Sequence, residues 1–239
     1  MDKKKEIKEK VVGILGGMGP EATVDFFSKL TSNTPAKSDQ QHLHVIIYSN
    51  PKVPDRTEAI LNNGQSPLPF LVEGCKSLER AGADFIVIPC VTAHYFLNEL
   101  RKETRLPILS ILDTVAEDIS EYRPKIRNLG LIGTSGTLKS GIFQKRMSMD
   151  GLTCIVCSER DQEKVMRAIY GIKAGVNKEK IQGELSFIAK KLIDSGAEGI
   201  LAGCTEIPLC LTQEDVTVPY FDPLLILARH TSIRARSGE

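Results

Sequence analysis

The amino-acid sequence predicts an α/β fold with two pseudo-symmetric domains, each a mainly four-stranded parallel sheet flanked by helices. Short β-rich runs alternate with helical patterns along the whole chain, which is typical of parallel strands covered by helices. The second half also repeats segments of the first. The predicted strands are VVGIL at 11–15, HVIIYS at 44–49, DFIVIP at 84–89, PILSI at 107–111, NLGLIG at 128–133, CIVCS at 154–158, GILAG at 199–203 and VPYFD at 218–222.

The helices between these strands are predicted from apolar stripes and from start signals. Apolar residues spaced at i, i+3, i+4 and i+7 indicate one amphipathic helix in each half. The stripes are Ala93, Phe96, Leu97 and Leu100, and Ile181, Leu185, Ile188 and Leu192. Further helix starts are predicted at Pro20 with Glu21, at Asp113 with Thr114, at Asp161 with Glu163, and at Pro223.

An internal repeat relates the two halves. Three pairs of segments match in the same order, at offsets of 117, 114 and 112: 13–19 with 130–136, 81–90 with 195–204, and 106–110 with 218–222. Because the offset drifts by only five residues, we infer two similar α/β halves. We expect residues 1–103 plus 217–239 to form the first domain and residues 104–216 the second.

Composition excludes several classes of partner. The 239 residues include 31 Lys and Arg against 30 Asp and Glu, so no positive field attracts nucleic acid or anionic lipid. No apolar run approaches the roughly 20 residues that span a bilayer, and the charged N-terminus lacks the apolar stretch of a signal peptide. We therefore expect a cytosolic protein with no nucleic-acid or membrane partner.

Six cysteines are too few in a chain of this length for a disulfide scaffold. Cys154 and Cys157 have the CxxC spacing of redox and zinc sites, but they lie in a predicted strand, where residues three apart point to opposite faces. We interpret both as small packing residues.

Cys90 and Cys204 end equivalent strands of the two halves. Open α/β sheets bind ligands outside the carboxyl ends of their strands, so a cleft between the halves has one thiol on each wall. A thiolate on one side of a carbon and a thiol on the other can invert that carbon without a metal or pyridoxal cofactor. The helix that begins near Thr92 favours ionisation of Cys90, and Thr205 and Glu206 can hydrogen-bond the second thiol or the substrate.

Several motifs together resemble the aspartate/glutamate racemase family, most closely its aspartate racemases. They are GILGGMGPEAT at 13–23, NPKVPDRT at 50–57, IPCVTAH at 88–94, GTSGT at 133–137, DQEKVM at 161–166 and GCTEIPL at 203–209. The resemblance implies two α/β domains, cofactor-independent two-base racemisation of an acidic amino acid, and a homodimer. It also implies that Cys90 and Cys204 are the acid–base pair, and that Arg56 and Lys164 bind the distal carboxylate. The expected substrate-binding set is Gly17, Met18, Arg56, Val91, Thr92, Thr134, Ser135, Thr137, Lys164, Thr205 and Glu206.

Val91 departs from the family pattern, which has Asn directly after the first cysteine. That amide normally helps bind the α-carboxylate of the substrate, and valine cannot replace it. Because a hydrogen bond to a charged group contributes roughly 1.5–3 kcal/mol, we expect a penalty of about 10–100-fold. Thr92 and the loop of Thr134, Ser135 and Thr137 remain to bind the carboxylate.

Other interpretations remain open. Gly17 to Ala22 fits the dinucleotide pattern G-x-G-x-x-A, but the next strand ends without the acidic residue that binds ribose, so the loop is better suited to a small anion. His94 is a candidate base or a residue that orients Cys90. Decarboxylation or isomerisation of a small acid, and a small-acid binding protein that has lost catalysis, are the alternative functions.

Overall fold

The computed structural model describes residues 9–176 and 178–237. Within these residues, eight parallel strands form two four-stranded sheets, which confirms the predicted fold class. The first sheet contains β1 (Val12–Gly16), β2 (Val45–Ser49), β3 (Phe85–Val87) and β4 (Ile108–Leu109). The second contains β5 (Asn128–Gly133), β6 (Thr153–Val156), β7 (Gly199–Gly203) and β8 (Tyr220–Phe221).

The two sheets have the same topology. Their strand orders are β2-β1-β3-β4 and β6-β5-β7-β8, and every pairing between neighbours is parallel. The repeated segments of the sequence therefore form equivalent strands: β1 matches β5, β3 matches β7, and β4 matches β8. This equivalence confirms the two similar halves inferred from the repeat.

Helices flank both sheets, and the apolar stripe that predicts one helix from Ala93 to Leu100 is divided between a 3₁₀ turn and an α-helix that starts at Leu97. The helices are α1 (Pro20–Ser32), α2 (Arg56–Leu61), α3 (Leu68–Arg80), α4 (Leu97–Glu103), α5 (Ile111–Glu121), α6 (Ser135–Ser140), α7 (Ile142–Ser148), α8 (Glu159–Lys173), α9 (Lys178–Asp194) and α10 (Pro223–Ser237). Short 3₁₀ turns lie at Asp39–Gln41, Thr92–Phe96, Ile207–Leu209 and Gln213–Asp215. Among the described residues, no helix is long and apolar enough to cross a membrane.

Serine caps correct two of the predicted helix starts. The Ser110 hydroxyl accepts a hydrogen bond from the backbone N–H of Asp113, and the Ser158 hydroxyl accepts one from the N–H of Asp161. Since an N-cap serine binds the N–H three residues on, Asp113 and Asp161 lie in the first turns of α5 and α8 and do not start them. The starts predicted at Pro20 and Pro223 are confirmed.

Two short strands pair in a different sheet from the one that the predicted domain boundaries give them. β4 pairs with β3 in the first sheet, and β8 pairs with β7 in the second. The predicted boundaries place each of these strands with the opposite sheet, whereas α10 packs on α1 as expected. The division into domains itself stays a prediction.

Apolar packing holds the halves together. One buried cluster draws on both, from Phe26 of α1 and Ile14 of β1 to Leu131 of β5 and Leu224 of α10. Two further clusters each serve one sheet. Because the shared cluster buries residues of both sheets, the halves are joined by a continuous core that fixes the edges where the thiols lie.

Candidate active site

Cys90 and Cys204 lie just beyond the carboxyl ends of β3 and β7, the equivalent strands of the two sheets. Both are 4% exposed, and both line one small cavity of about 10 Å³. The cavity is lined by Met18, Asp55, Arg56, Thr57, Cys90, Val91, Thr92, Thr134, Lys173, Cys204, Thr205 and Glu206. One thiol from each half therefore faces the same enclosed space.

A larger chamber of about 250 Å³ adjoins this cavity. The two spaces share Met18, Asp55, Arg56, Lys173 and Glu206 as lining residues. Gly17 of the predicted site lines the chamber rather than the cavity, beside apolar residues such as Val53 and Ile172. The chamber is slightly smaller than typical small-molecule sites of about 300–1,000 Å³, and the cavity beside the thiols has room for about one water molecule.

Close contact between α2 and α6 brings the two walls together. A Cβ atom on Gly136 of α6 would lie 2.9 Å from the Thr57 hydroxyl and 3.0 Å from its Cα atom, so only glycine allows this approach. Next to it, the Thr92 hydroxyl of the first half lies 3.0 Å from that of Thr134 and 3.1 Å from that of Thr137. Thr92 and Thr134 line the cavity, while Thr137 is fully buried and supports them.

Arg56 is anchored in place by backbone carbonyls. Asp55 caps α2 by accepting from the N–H groups of Thr57 and Glu58, which makes Arg56 the first helical residue. The guanidinium donates from Nη1 to the carbonyls of Val53 and Pro54, and from Nη2 to that of Met18.

The remaining edge of this guanidinium suits an anion. The side chain is buried, and its Nε has no hydrogen-bond partner among the described residues. Burial acts to lower the pKa of Arg56, but the Cys90 sulfur and the carboxylates of Asp55 and Glu206 raise it above its usual value. A fixed guanidinium with a buried, unused N–H can bind a carboxylate from the side.

The glycine loop after β1 binds a carboxylate of the chain itself. Gly17 has a φ of +90°, and a Cβ atom there would lie 2.3 Å from the backbone nitrogen of Asn50, so the turn requires glycine. The N–H of Gly17 donates to the Thr23 hydroxyl, and the N–H of Gly19 donates to Oε1 of Glu206 at 3.2 Å. The anion held by this loop is therefore Glu206, contributed by the second half.

Glu206 also contacts the second thiol. The Sγ atom of Cys204 donates to Oε2 of Glu206 at 2.9 Å, and the Thr205 hydroxyl donates to the same oxygen at 3.4 Å. Burial and the adjacent carboxylate raise the pKa of the Cys204 thiol well above its usual value. The sequence indicated that Glu206 can bind either the thiol or the substrate, and in the structure it binds the thiol.

Lys173 at the end of α8 is a site residue that the sequence interpretation missed. Its ammonium lies 3.9 Å from Oε1 of Glu206, and its side chain is 26% exposed. Burial acts to lower the pKa of Lys173, but Glu206 and Cys204 raise it above its usual value. The sequence feature that could have indicated this role is the position of Lys173 four residues after the buried Ile169, at the edge of the apolar stripe of α8.

Lys164 and Ser135 are not among the residues that line the cavity. The ammonium of Lys164 pairs with Asp161 at 2.8 Å, and Asp161 also pairs with Lys191. Lys164 and Lys173 are nine residues apart, about two and a half helical turns, so they lie on opposite sides of α8. Ser135 lies in a groove on the outer surface, where its hydroxyl accepts from the Gln162 amide. The structure thus places Lys173, not Lys164, at the cavity.

His94 is built into the support of the first thiol. Its Nε2 accepts from the N–H of Ile111 at 3.1 Å, which places the ring proton on Nδ1, 2.9 Å from the carbonyl oxygen of Cys90. Burial lowers the pKa of His94 to about 4. The neutral ring therefore ties the Cys90 loop to the start of α5, and both of its nitrogens are occupied. This geometry favours the orienting role over that of a base.

The remaining cysteines lie outside the cavity lining. Cys154 lies in β6 and packs against the shared core, whereas Cys157 lies just beyond the end of β6, which is shorter than predicted, and packs against the core of the second sheet. Burial raises the pKa of Cys154 to about 11 and that of Cys75 to about 12. Within the described residues, no group of His, Cys, Asp and Glu is arranged to hold a metal ion.

These features define an α/β protein with two parallel sheets and a small-molecule cavity between their carboxyl edges. The family described as Asp/Glu/Hydantoin racemase matches residues 15–231. The broad specificity amino-acid racemase RacX of Bacillus subtilis (strain 168) is 28% identical over 225 residues, which cover 92% of this chain and 96% of that protein.

Solved structures give the same result. The aspartate racemase of Picrophilus torridus superimposes with a TM-score of 0.85 at 32% identity, over 95% of this chain and 94% of that one. An aspartate racemase homologue from Pyrococcus horikoshii OT3 gives a TM-score of 0.76 at 30% identity, over 95% and 99%. The chain belongs to the Asp/Glu/hydantoin racemase family, and its activity is that of an amino-acid racemase, an isomerase.

Proposed function

We propose that the protein interconverts the L- and D-forms of an acidic amino acid, with aspartate as the first candidate, by a two-cysteine acid–base mechanism without a cofactor. The observation that carries the proposal is that Cys90 of one half and Cys204 of the other line the same cavity. The thiolate of one cysteine removes the α-proton, and the thiol of the other delivers its proton to the opposite face. One C–H bond breaks and another forms, so the proton count balances.

The cations and hydroxyls that line the cavity support an acidic substrate with two carboxylates. Arg56 and Lys173 line the cavity with the thiols, and their positive charges can hold the distal carboxylate. In this proposal Lys173 takes the role that the resemblance gave to Lys164. The Thr92 and Thr134 hydroxyls lie on the other side, at the contact of the two halves, and are suited to the α-carboxylate.

Aspartate is the first choice because the chain resembles the Picrophilus torridus aspartate racemase over nearly its whole length. One observation favours a wider substrate range. Val91 is 1% exposed and lines the cavity as an apolar side chain, and the adjoining chamber has apolar walls. The proposal retains a homodimer and a cytosolic location as expectations from the sequence.

Deuterium incorporation tests the reaction. The protein is incubated in heavy water with L-aspartate, and then with a panel of L- and D-amino acids that includes glutamate and alanine. We expect deuterium at the α-carbon together with the opposite enantiomer, measured by mass spectrometry and chiral chromatography. Ligand binding without α-exchange would support the lapsed binding protein instead, and loss of carbon dioxide would support a decarboxylase.

A further inference from the structure

The two sulfur atoms of the cavity have unlike neighbours. The Sγ atom of Cys204 donates to a carboxylate oxygen of Glu206, whose side chain is 3% exposed. Cys90 lines the same cavity as Arg56, and the Cys90 sulfur is the largest influence that raises the pKa of the Arg56 guanidinium against the effect of burial. Both sulfurs have a cation nearby, Lys173 for Cys204 and Arg56 for Cys90, but only Cys204 donates to a carboxylate among the described residues.

The carboxylate of Glu206 is fixed from both halves of the molecule. Its Oε1 accepts from the N–H of Gly19 and lies 3.9 Å from the ammonium of Lys173. Its Oε2 is thereby directed at Cys204. Because the contact with Gly19 spans 187 residues of sequence, the position of this oxygen depends on the closed arrangement of the two halves.

A buried carboxylate beside a thiol opposes loss of the thiol proton, because a thiolate there would place two negative charges side by side. Lys173 offsets part of this repulsion, but the pKa of Cys204 is still raised well above its usual value. At neutral pH the Cys204 thiol therefore keeps its proton, and this proton lies on the hydrogen bond to Glu206.

We propose that Glu206 is a positioning residue that keeps the proton on Cys204, so that the free enzyme rests with Cys204 as the acid and Cys90 as the base. This inference rests on the proposed two-thiol reaction. In one turnover Cys90 takes the α-proton and Cys204 gives its proton to the opposite face. The resulting thiolate at Cys204 lies against Glu206, which favours its return to the thiol, either by the reverse reaction or by uptake of one proton from solvent while Cys90 releases one.

Rates of alkylation measure this asymmetry directly. Enantiomers have equal free energies, so kcat/KM must be the same in both directions and cannot report it. Iodoacetamide reacts with the thiolate, and Cys90 and Cys204 are equally exposed at 4%, so access does not separate them. After brief treatment at pH 7.5, peptide mass spectrometry gives the rate at each cysteine. We expect Cys204 to react at least 10-fold more slowly than Cys90.

Variants of Glu206 connect the asymmetry to its cause. Glu206→Gln removes the charge, and we expect it to bring the two alkylation rates to within about threefold of each other. Glu206→Asp moves the carboxylate away from Cys204 by the length of one methylene, and it should give a ratio of alkylation rates between those of the wild type and Glu206→Gln. The matched control is Glu58→Gln on α2, an exposed carboxylate that does not line the cavity, and it should leave the ratio at its wild-type value.

The outcomes separate this inference from the racemase reaction. Equal alkylation rates in the wild type, or an unchanged ratio in both Glu206 variants, would overturn the role of Glu206. The wild-type ratio does not depend on whether the variants fold. If the two cysteines alkylate at different rates but the protein does not exchange the α-hydrogen, the two-thiol racemase reaction is refuted. The inference that Glu206 keeps the proton on Cys204 would still stand.

Discussion

The two walls of the cavity share a scaffold but differ in the residues that follow their third strands. β3 and β7 occupy the same place in sheets of the same order, and each leads to a cysteine. After Cys90 the chain continues with Val91 and Thr92, and His94 ties the loop down. After Cys204 it continues with Thr205 and Glu206, and the carboxylate contacts the sulfur.

The difference teaches that a duplicated fold conserves position more strictly than chemical environment. The strand ends and helix starts that place the sulfurs are backbone features, and both halves have them. The charges next to the sulfurs come from side chains and loops that only one half supplies. A reaction that is symmetric in its substrate can therefore be carried out by walls that are not equivalent.

The largest expected effect comes from replacing the thiol of one wall at a time. Cys90→Ser and Cys204→Ser should each lower racemisation by about 10³-fold, because a serine hydroxyl is far less acidic and one acid–base group is worth about 10²–10⁴. Each variant keeps one thiol, so it should still exchange the α-hydrogen of a single enantiomer in heavy water. The two variants should select opposite enantiomers, scored by mass spectrometry and chiral chromatography.

Substantial racemisation by either serine variant would refute the two-base assignment. Exchange of the same enantiomer in both variants would show that the thiols do not face opposite sides of the carbon. Circular dichroism of each variant serves as the folding control.

The second prediction concerns His94, whose ring joins the Cys90 loop to the start of α5 on the first wall of the cavity. Burial lowers the pKa of His94 to about 4 in the folded protein, against an ordinary value of 6.5. Between these values the unfolded chain binds a proton that the folded protein does not, so the free energy of unfolding should fall as the pH drops from about 6.5 to about 4. The full loss from this residue is about 3 kcal/mol.

Urea unfolding at pH 4.5, 5.5 and 7.0 measures this slope. His94→Leu removes the titrating group and should flatten the slope while lowering stability at pH 7, since it leaves the carbonyl of Cys90 and the N–H of Ile111 unpaired. His44→Gln, at an exposed histidine, is the matched control and should keep the wild-type slope. Equal slopes in the wild type and His94→Leu would contradict the assignment.

The third prediction compares two lysines of α8. Lys173→Met should raise KM for aspartate by about 10–100-fold, which corresponds to the roughly 1.5–3 kcal/mol of a hydrogen bond to a charged group. Lys164→Met removes the same charge from the opposite side of the helix and should leave KM near the wild-type value. A larger effect at Lys164 than at Lys173, in steady-state kinetics of both variants, would restore the assignment made from the sequence motif.

These lysines also show what the sequence can and cannot predict. The strands and the equivalent places of Cys90 and Cys204 follow from local apolar patterns and an internal repeat, and both are readable along the chain. Lys164 and Lys173 flank the buried stripe of α8 on opposite edges, and the sequence does not say which edge faces the cavity. That choice depends on how α8 packs against the other half.

The partners in long-range contacts could not be predicted from the sequence either. The Gly19 loop looks like a site for an external anion, yet its N–H binds Glu206, 187 residues away. Arg56 looks like a loop arginine, yet backbone carbonyls anchor its guanidinium and leave Nε free. In both cases the residue type indicated its chemistry, and only the folded arrangement determined its partner.

The smallest expected effect is at Val91. This residue follows Cys90 and is therefore the equivalent of Thr205, which follows Cys204. Val91→Asn should lower KM for aspartate by up to about 10-fold by adding a donor for the α-carboxylate. The side chain is also part of the shared core, so the free energy of unfolding should fall by about 1 kcal/mol when a polar amide is buried there. Val91→Thr, which keeps the shape of valine but lacks the amide, is the matched control. An equal gain in both variants, or none in Val91→Asn, would show in steady-state kinetics that the missing amide does not limit binding.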